Sequence, residues 1–418
     1  MSLDRKIIFH IDVNSAFLSW SAIRLLESGS DVDLRKIPSI VGGDLETRHG
    51  IVVAKSIPAK KYGIHTADTV ASALKKCPGL VSVRPDHTYY RDKSRKLMEY
   101  LKGICPRIQQ VSVDECYMDF EPVRDRYRSP ESAARNICDG VRDTFGFTVN
   151  IGISDRKVLA KMASDFEKPD RVHTLYASEI QDKLWPLPIA ALHMCGKSSA
   201  ERFEQLGILT IGDLAASERE WIKSIFKSHG DLLWRYANGI DDSEVDTEDR
   251  EVKSVGNSTT LSEDARTRER AISVLSGLAG SVSDRLRKHS LRAGMVCVEI
   301  KYATFKTVSR QTTLPRQVDR QEDILATACT LFDELWDGAP IRLLGIRTGH
   351  LTSVDEPFQM DIFSYQDQLA KEQVEKKRLK KLDKEKRLAE ALGKIETKYG
   401  PGKIHKGTKE TGDGSLSP

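Results

Sequence analysis

A short acidic segment divides the chain into two stretches, and in each of them strand patterns alternate with helix patterns. Between residues 241 and 251 seven residues are acidic and one is basic. This composition predicts a solvated linker, because it can bury little apolar surface. The apolar runs elsewhere have the length of single strands, well short of the ~20 residues of a transmembrane helix. We therefore expect a multidomain α+β protein, without a membrane partner, for this chain of 418 residues.

The first stretch opens with a buried-strand pattern that ends in a carboxylate. This pattern covers Lys6–Asp12, and a helix pattern follows at residues 14–29. Apolar spacing predicts further strands at 40–43, 51–54, 111–119 and 148–154, and helices at 58–63, 89–104 and 130–146. Together these elements predict a domain built on an antiparallel or mixed sheet.

The second stretch repeats this mixture of elements and is followed by a charged tail. Short helical segments at residues 189–239 complete the first stretch and lead to the acidic segment. Beyond it, helix patterns at 268–289 and 321–335 and strand patterns at 295–302, 306–314 and 343–351 predict a second α+β unit. From residue 371 to 410 fourteen residues are basic and seven are acidic, whereas the whole chain carries only +4. Any case for nucleic-acid binding must therefore rest on local patches.

The cysteines and the N-terminus bear on where the protein works. The seven cysteines lie far apart, without a C-x-x-C pair, which is typical of reduced thiols and not of a structural zinc site. The apolar stretch at residues 7–11 runs straight into Asp12, unlike a secretory signal. We therefore expect a cytoplasmic protein.

Three acidic residues are the sharpest candidates for chemistry. Asp12 ends the first strand pattern, and Asp114 and Glu115 are adjacent within the pattern at residues 111–119. Neighbouring side chains on a regular strand point to opposite faces, so these two can converge only near a turn or a strand end. Three carboxylates meeting at one sheet edge would repel one another unless divalent cations such as Mg²⁺ neutralised them. The alternative is three unrelated solvated carboxylates.

Four segments decide between these alternatives by their order and spacing. They are Ile11–Phe17 (IDVNSAF), Ile51–Ile64 (IVVAKSIPAKKYGI), Val111–Cys116 (VSVDEC) and Val149–Ser154 (VNIGIS). In this arrangement the chain, from about residue 6 to 363, resembles the Y-family DNA polymerases and most of all their DNA polymerase IV branch. The resemblance implies template-directed, low-fidelity addition of dNTPs to the 3′-hydroxyl of a primer-template, with two Mg²⁺ ions per site, in translesion synthesis.

The resemblance also implies a right-hand polymerase architecture. A palm with a ferredoxin-like antiparallel or mixed sheet, small fingers and a helix-hairpin-helix thumb would precede an α+β little finger. The expected boundaries are palm 1–15 and 86–175, fingers 16–85, thumb 176–240, acidic linker 241–252, little finger 253–357, and clamp-binding peptide with charged tail 358–418.

The family motif assigns roles to the residues that match it. Asp12, Asp114 and Glu115 are the expected catalytic metal ligands, with the main-chain carbonyl of Val13 as another. Asn14 replaces an aspartate common in the family, at a position that is not a metal ligand, so we do not expect the change to inactivate the enzyme.

Nucleotide selection and binding fall to three further residues. Phe17 matches the steric gate that excludes a 2′-hydroxyl, although an isolated Phe on a helix is ordinarily a core residue. Lys60 and Lys168 match positions that hold the triphosphate, and Lys60 is expected beside free N–H groups of a helix beginning near Pro58. Ile57 and Lys60 stand where many relatives have Tyr and Arg, so we expect weaker nucleotide binding here.

Two regions are expected to bind DNA. Residues 192–196 and 206–214 resemble a helix-hairpin-helix in which Gly196 offers N–H groups to phosphates, although Met194 stands where the family usually has Gly. The segment 285–316 carries eight basic residues and one acid, enough for a salt-dependent grip on phosphates. Its predicted DNA contacts are Arg285, Arg287, Lys288, Arg292, Lys306, Arg310 and Arg316. A plain helical hairpin and a plain basic surface are the alternatives.

A short peptide after the last predicted strand resembles the one that hooks bacterial polymerases to the sliding clamp. Its anchors are Gln359, Met360, Ile362 and Phe363, although Ile362 and Phe363 could instead cap the preceding domain. The tail from residue 364 gives no functional signal, and we expect a monomer.

Two other functions compete with the polymerase. Gly42-Gly43-Asp44 superficially resembles the motif of cyclic-dinucleotide synthases, but it lies outside the carboxylate hairpin and leaves the DNA-binding half unexplained. A non-catalytic DNA- and clamp-binding factor would fit the departures at Ile57, Lys60 and Met194, whereas the intact carboxylates disfavour it.

Overall fold

The computed structural model describes residues 6–43, 50–248 and 251–356, and the chain divides into two compact units between Glu251 and Val252. The first unit contains the strands β1 (Ile8–Val13), β2 (Ser39–Gly42), β3 (Val52–Lys55), β4 (Val81–Val83), β5 (Ile108–Gln110), β6 (Glu115–Asp119), β7 (Val149–Ser154) and β8 (Val172–Thr174). Its α-helices are α1 (Ala16–Glu27), α2 (Ile57–Lys60), α3 (Val70–Lys76), α4 (His87–Ile104), α5 (Pro130–Phe145), α6 (Lys157–Ser164), α7 (Ile180–Lys183), α8 (Lys197–Gln205), α9 (Ile211–Ala216) and α10 (Arg219–Ala237).

A five-stranded sheet forms the centre of the first unit. Its strand order is β5-β6-β1-β7-β8, antiparallel except for the parallel pair β7–β8. The expected mixed sheet and α+β class are therefore confirmed. A smaller sheet, β3-β2-β4, pairs β2 antiparallel to β3 and parallel to β4.

Alternation along β1 distributes its side chains between two layers of helices. Phe9, Ile11 and Val13 enter a core shared with α1, α4 and α5. The opposite face packs on α6, and at Gly152 of β7 the backbones approach so closely that a Cβ atom would lie 2.0 Å from the carbonyl oxygen of Ala160. Only glycine fits there, because any side chain would push α6 off the sheet.

The segment predicted as one strand from residue 111 to 119 is a hairpin turn followed by a strand. Residues 111–114 connect β5 to β6, and the ladder begins at Glu115. The N–H groups of Val111 and Ser112 both donate to the Glu115 carbonyl oxygen, at 3.0 and 3.3 Å. The prediction of one continuous strand is thus wrong, because the turn ends between the two adjacent acids. Asp114 belongs to the turn and Glu115 begins β6.

A strained residue interrupts the last helix of this unit. Within α10, Lys227 has φ 58° and ψ −142°, a region populated almost entirely by glycine. The Lys227 ammonium donates to the Ser224 carbonyl oxygen at 2.9 Å, which offsets only part of that cost.

We expect Lys227→Gly to raise the free energy of unfolding of the first unit by about 1 kcal/mol. The strain is on the order of 1–3 kcal/mol, more than the ~1 kcal/mol that the extra freedom of glycine costs in the unfolded state. Urea-induced unfolding followed by circular dichroism measures the change. The matched variant Lys223→Gly, at a regular position of the same helix, should lose about 1 kcal/mol. Equal losses in both variants would contradict the assignment of strain.

The second unit is a four-stranded antiparallel sheet with helices on one face. Its strand order is β11-β10-β12-β9, and its core is formed with both helices. Its elements are β9 (Val255–Ala265), α11 (Arg268–Lys288), β10 (Leu291–Tyr302), β11 (Thr307–Val318), α12 (Gln321–Leu335) and β12 (Ile341–Ser353). The α+β expectation is confirmed, although β9 was not predicted.

The acidic segment before residue 249 is bound to the first unit, so the prediction of a solvated linker is wrong there. Asp241 is 8% exposed, and its Oδ2 atom accepts the Val158 N–H at 2.9 Å in the first turn of α6. Val245 is 7% exposed and packs with Ile8 and Tyr117. Composition missed this binding because one cap and one apolar side chain are enough to hold the segment.

Two expectations concern the chain as a whole. Each of the seven cysteines is a free thiol, as expected. In the described ranges, helices of the length and apolar character needed to cross a membrane are absent.

Candidate active site

The backbone brings Asp12, Asp114 and Glu115 together at one end of the five-stranded sheet. Asp12 lies directly opposite Glu115 in the β1–β6 register. The Val13 N–H donates to the Asp114 carbonyl oxygen at 2.9 Å. Directly opposite residues point to the same face of a sheet, so Asp12 and Glu115 share a face, while Asp114 projects from the turn before β6. Acids far apart in the sequence therefore form one cluster.

Two lysines neutralise part of this acidic cluster. The Lys168 ammonium donates to Asp12 Oδ2 and lies 2.8 Å from Asp165 Oδ1. Lys161, on α6, donates to Glu115 Oε2 at 2.7 Å. Like charges on directly opposite strand residues destabilise a sheet, and these lysines offset that repulsion. Although burial lowers the pKa of Lys168, attraction to Asp12 outweighs it and raises that pKa above its ordinary value.

Glu115 and Asp114 differ in their affinity for a proton. His10 Nε2 lies 3.3 Å from Glu115 Oε2, without the alignment of a full hydrogen bond. This contact and the Lys161 pair lower the pKa of Glu115 to about 2. Burial raises the pKa of Asp114, and the charges of Asp12 and Glu115 raise it further, against the opposing effect of a 2.5 Å hydrogen bond from Ser112 Oγ.

These residues fit a divalent cation by donor type and by charge. Carboxylate oxygens are the hard ligands that Mg²⁺ prefers. Burial raises the pKa of Asp114 most, and a cation would relieve the repulsion by Asp12 and Glu115 that raises it further. Across residues 6–43, 50–248 and 251–356, no group of three His, Cys, Asp or Glu side chains is already arranged as a metal site. In this structure Asp12 and Glu115 are paired with lysines and Asp114 with Ser112.

A cavity of about 500 Å³ opens beside Asp12 and Asp114. Its lining comes from the β1–α1 turn, the segment from β3 to α2, and residues 168 and 169. The lining residues are Asp12, Val13, Asn14, Ser15, Ala16, Phe17, Val53, Ala54, Lys55, Ser56, Ile57, Lys60, Thr66, Asp114, Lys168 and Pro169. The cavity is therefore lined by six of the residues predicted for the site: Asp12, Val13, Phe17, Lys60, Asp114 and Lys168. Glu115 was also predicted for the site but does not line the cavity.

Phe17 presents its ring to this cavity from the first turn of α1. The ring stacks on Tyr90 with centroids 5.0 Å apart and an interplanar angle of 25°. Tyr90 is buried, and its hydroxyl lies 2.6 Å from Ser21 Oγ. The orientation of Phe17 is thus fixed by a neighbour that is itself held by a hydrogen bond.

The segment around Lys60 differs from the sequence-based expectation. Helix α2 is a single turn in which Lys60 is the last residue, not a neighbour of free N-terminal N–H groups. Ser56 caps the turn by accepting the Ala59 N–H at 3.1 Å. Lys60 nevertheless lines the cavity, beside Ile57, which is 56% exposed.

The predicted hairpin around Gly196 is a loop that leads into α8. Gly196 is the N-cap of α8, and its carbonyl oxygen accepts the N–H groups of Ser199 and Ala200. Met194 has φ 69° and is 54% exposed. A left-handed backbone accounts for the glycine that the family usually has there.

The predicted DNA contacts of the second unit occupy three places. Arg285, Arg287 and Lys288 lie in the last turn of α11, and Arg292 lies at the start of β10. Lys306 precedes the edge strand β11 and is exposed. Arg310 and Arg316 belong to β11 and form ion pairs with Glu334 and Asp323 of α12, at 2.8 and 3.3 Å. Two of the seven cations are therefore already paired within the unit.

Sequence reasoning missed several residues that the fold places at the site. Lys55 and Thr66 line the cavity, while His10, Ser112 and Lys161 contact the acids. None of them carries a signal on its own, because an isolated Lys, Thr or Ser is most often a surface residue. The predicted clamp-binding peptide, residues 359–363, lies outside the described residues.

Family models and relatives agree on what this chain resembles. Residues 11–165 match the impB/mucB/samB family, and residues 252–362 match the impB/mucB/samB family C-terminal domain. DNA polymerase IV of Clostridium acetobutylicum is 44% identical over 350 residues, which cover 83% of this chain and 88% of that protein. DNA polymerase IV 1 of Bacillus subtilis is 37% identical over 404 residues, 96% of this chain and 92% of that protein. The chain belongs to the DNA polymerase IV family.

The fold agrees with this membership. A solved Y-family DNA polymerase chimera aligns with a TM-score of 0.73 at 20% identity, over 83% of this chain and 99% of the chimera. The expected fold class is therefore confirmed as that of a Y-family polymerase. The acidic cluster and the cavity lining of this chain, apart from Lys168 and Pro169, lie within the segment that the first family model matches.

Proposed function

We propose that this chain is a template-directed DNA polymerase that adds deoxynucleotides to a primer 3′-hydroxyl, with low fidelity, in translesion synthesis. The observation that carries the proposal is the cluster of Asp12, Asp114 and Glu115 beside a cavity lined by Lys55, Lys60 and Lys168. This arrangement suits a reaction of a triphosphate that needs cations, because the acids can bind the cations and the lysines can bind the triphosphate. Membership of the DNA polymerase IV family supports the same activity.

In this proposal the acids hold Mg²⁺ and the rest of the cavity positions the nucleotide. Bound Mg²⁺ supplies activation of the primer hydroxyl and stabilisation of charge on the α-phosphate and the leaving pyrophosphate. Asp12, Asp114, Glu115 and the Val13 carbonyl would be its ligands. Lys161 and His10 hold the Glu115 carboxylate in place, and Ser112 holds that of Asp114.

Phe17 and Lys168 act on the nucleotide in this scheme. The ring of Phe17, fixed against Tyr90, would lie beneath the sugar and collide with a 2′-hydroxyl. Lys168 is paired with Asp12 and also lines the cavity, so its ammonium could bind a triphosphate held there.

The partners and domains follow from the same proposal. We assign residues 1–15 and 86–175 to the palm, 16–85 to the fingers, 176–240 to the thumb and 253–357 to the little finger, with primer-template DNA and dNTP as substrates. Gly196 and the basic residues of the second unit would contact phosphates. We also propose a monomer in the cytoplasm.

The sliding clamp is the proposed protein partner. Residues 359–363 follow β12 (Ile341–Ser353) closely in the sequence and resemble the clamp-binding peptide of bacterial polymerases. Size-exclusion chromatography of the full chain with the clamp, against a chain that ends at residue 358, tests this. If the full chain and the shortened chain both co-elute with the clamp, residues 359–363 are not the segment that binds it.

Primer extension by the full chain with Mg²⁺ and dNTPs tests the activity itself. Extension dictated by the template is the expected result. A cyclic product formed from nucleotides without DNA would favour the synthase alternative, but Gly42 ends β2 of the smaller sheet and is not part of the five-stranded sheet that carries Asp12 and Glu115. Binding of DNA without extension would favour a non-catalytic factor, which family membership disfavours.

A further inference from the structure

Lys55 is a lysine of the cavity that the family resemblance leaves without a role. It is the last residue of β3, at the edge of the smaller sheet, where it pairs with Ile40. Its side chain lines the same cavity as Lys60 and Thr66. The cavity therefore carries two lysines on the segment from β3 to α2, in addition to Lys168 beside the acids.

The ammonium of Lys55 donates a hydrogen bond to a neutral side chain. It lies 3.4 Å from the Thr66 hydroxyl, its one hydrogen bond within the described ranges. Burial lowers the pKa of Lys55 and the charge of Lys60 lowers it further, while only Asp68 acts in the opposite direction. The Asp68 carboxylate itself accepts a hydrogen bond from Lys76 at 2.7 Å.

The half-buried Lys55 and the exposed Lys60 line the same open space, and two cations that repel one another there favour an anion between them. The anion that the proposed reaction brings to this cavity is a triphosphate. We propose that Lys55 binds the triphosphate of the incoming deoxynucleotide together with Lys60, an inference that rests on the proposed polymerase function.

This role changes the expectation for nucleotide binding. Ile57 and Lys60 were expected to weaken the grip, since they lack the hydroxyl and the guanidinium fork of Tyr and Arg. Lys55 adds a cation on the same segment, and a lysine binds phosphate as a point charge without a fixed geometry. Hydrogen-bond donors that are missing at two positions are thus offset by an additional cation at a third.

We expect Lys55→Met to raise the dNTP KM about tenfold while kcat changes less than about threefold. Loss of a contact made equally in the ground and transition states raises KM alone, and loss of a hydrogen bond to a charged group weakens binding by about tenfold or more. Single-nucleotide primer extension at varied dNTP concentration measures both constants. Lys55→Arg keeps the charge and should stay within about threefold of wild type.

Lys61→Met is the matched control, because Lys61 is exposed, close in sequence and absent from the cavity lining. It should leave KM unchanged. Primer-template affinity without nucleotide, measured by fluorescence anisotropy, should be equal in all variants if they are folded. An unchanged KM in Lys55→Met, or an equal rise in Lys61→Met, would overturn the proposal.

Inorganic triphosphate is a probe that has neither base nor sugar and needs no catalysis. Calorimetry should show that Lys55→Met binds it about tenfold more weakly than wild type, and that Lys61→Met does not. Equal binding by Lys55→Met and wild type would reject the assignment. Because this measurement requires no primer extension, it separates a failure of Lys55 from a failure of the polymerase function.

The double replacement Ile57→Tyr/Lys60→Arg provides a second measurement. If Lys55 compensates for these two positions, the double replacement should lower KM more in the Lys55→Met background than in wild type. Equal effects in both backgrounds would show that Lys55 acts elsewhere and would overturn the proposal.

Discussion

Primer extension should fall by about a thousandfold or more when Asp114 and Glu115 are both replaced by alanine. These two acids and Asp12 gather at the end of β1 and β6, and the carboxylates that line the described cavity are those of Asp12 and Asp114. Metal-ion stabilisation of the reacting phosphate is worth several kcal/mol, and each 1.36 kcal/mol corresponds to a tenfold change in rate. Gel-based extension of a labelled primer at saturating dNTP measures the loss.

Asp165→Ala serves as the control for this experiment. Asp165 forms ion pairs with the same Lys168 and Lys161 but lies outside the cavity lining. Its loss should cost less than about tenfold, so a collapse of both variants alike would indicate general damage. Because Glu115 is paired with Lys161 and His10, the melting temperature of the double variant must be measured too. Wild-type activity in Asp114→Ala/Glu115→Ala would remove the catalytic assignment.

The second large effect concerns the choice of sugar. Replacement of Phe17 by alanine should shift the ratio of kcat/KM for dNTP over rNTP by about ten- to a hundredfold toward rNTP. Forcing an extra group against a fixed ring costs about 1–3 kcal/mol, and the ring cannot retreat, since it stacks on buried Tyr90. Single-nucleotide extension with matched dNTP and rNTP gives the ratio.

Phe145→Ala is the matched aromatic truncation for Phe17→Ala. Phe145 ends α5 and packs on Tyr100 and Phe147, away from the cavity lining. It should leave the sugar ratio unchanged whatever it does to stability. A sugar ratio that stays at the wild-type value in Phe17→Ala would mean that another residue excludes the 2′-hydroxyl.

The arrangement of the acids was accessible from the sequence because local rules and a known motif coincided. A buried strand pattern ended at Asp12, and adjacent carboxylates required a break in the next strand. In the structure that break is the turn of the β5–β6 hairpin, which ends at Asp114, and pairing between β1 and β6 begins at the next residue, Glu115. Periodicity alone placed the boundary incorrectly, since Val111 and Val113 continue the alternation through the turn.

Contacts made by isolated residues could not be predicted. Lys55 and Lys161 are single lysines whose positions are set by how β3 and α6 pack, not by their neighbours in sequence. Strand β9 was missed because its eleven residues are mostly polar, and a strand at the edge of a sheet with one open face needs few apolar side chains. The acidic segment was misjudged for a related reason, because composition averages over residues of which only Asp241 and Val245 are buried.

The binding of residues 241–246 to the first unit determines where the polypeptide can be cut. A fragment ending at residue 240 would leave the start of α6 without its cap and uncover Ile8 and Tyr117. A fragment extended through Asp246 retains both contacts, as well as the Lys157 ammonium against the Glu244 carbonyl oxygen at 3.0 Å. Expression plasmids for the N-terminal half alone should therefore carry the acidic residues as part of the folded body.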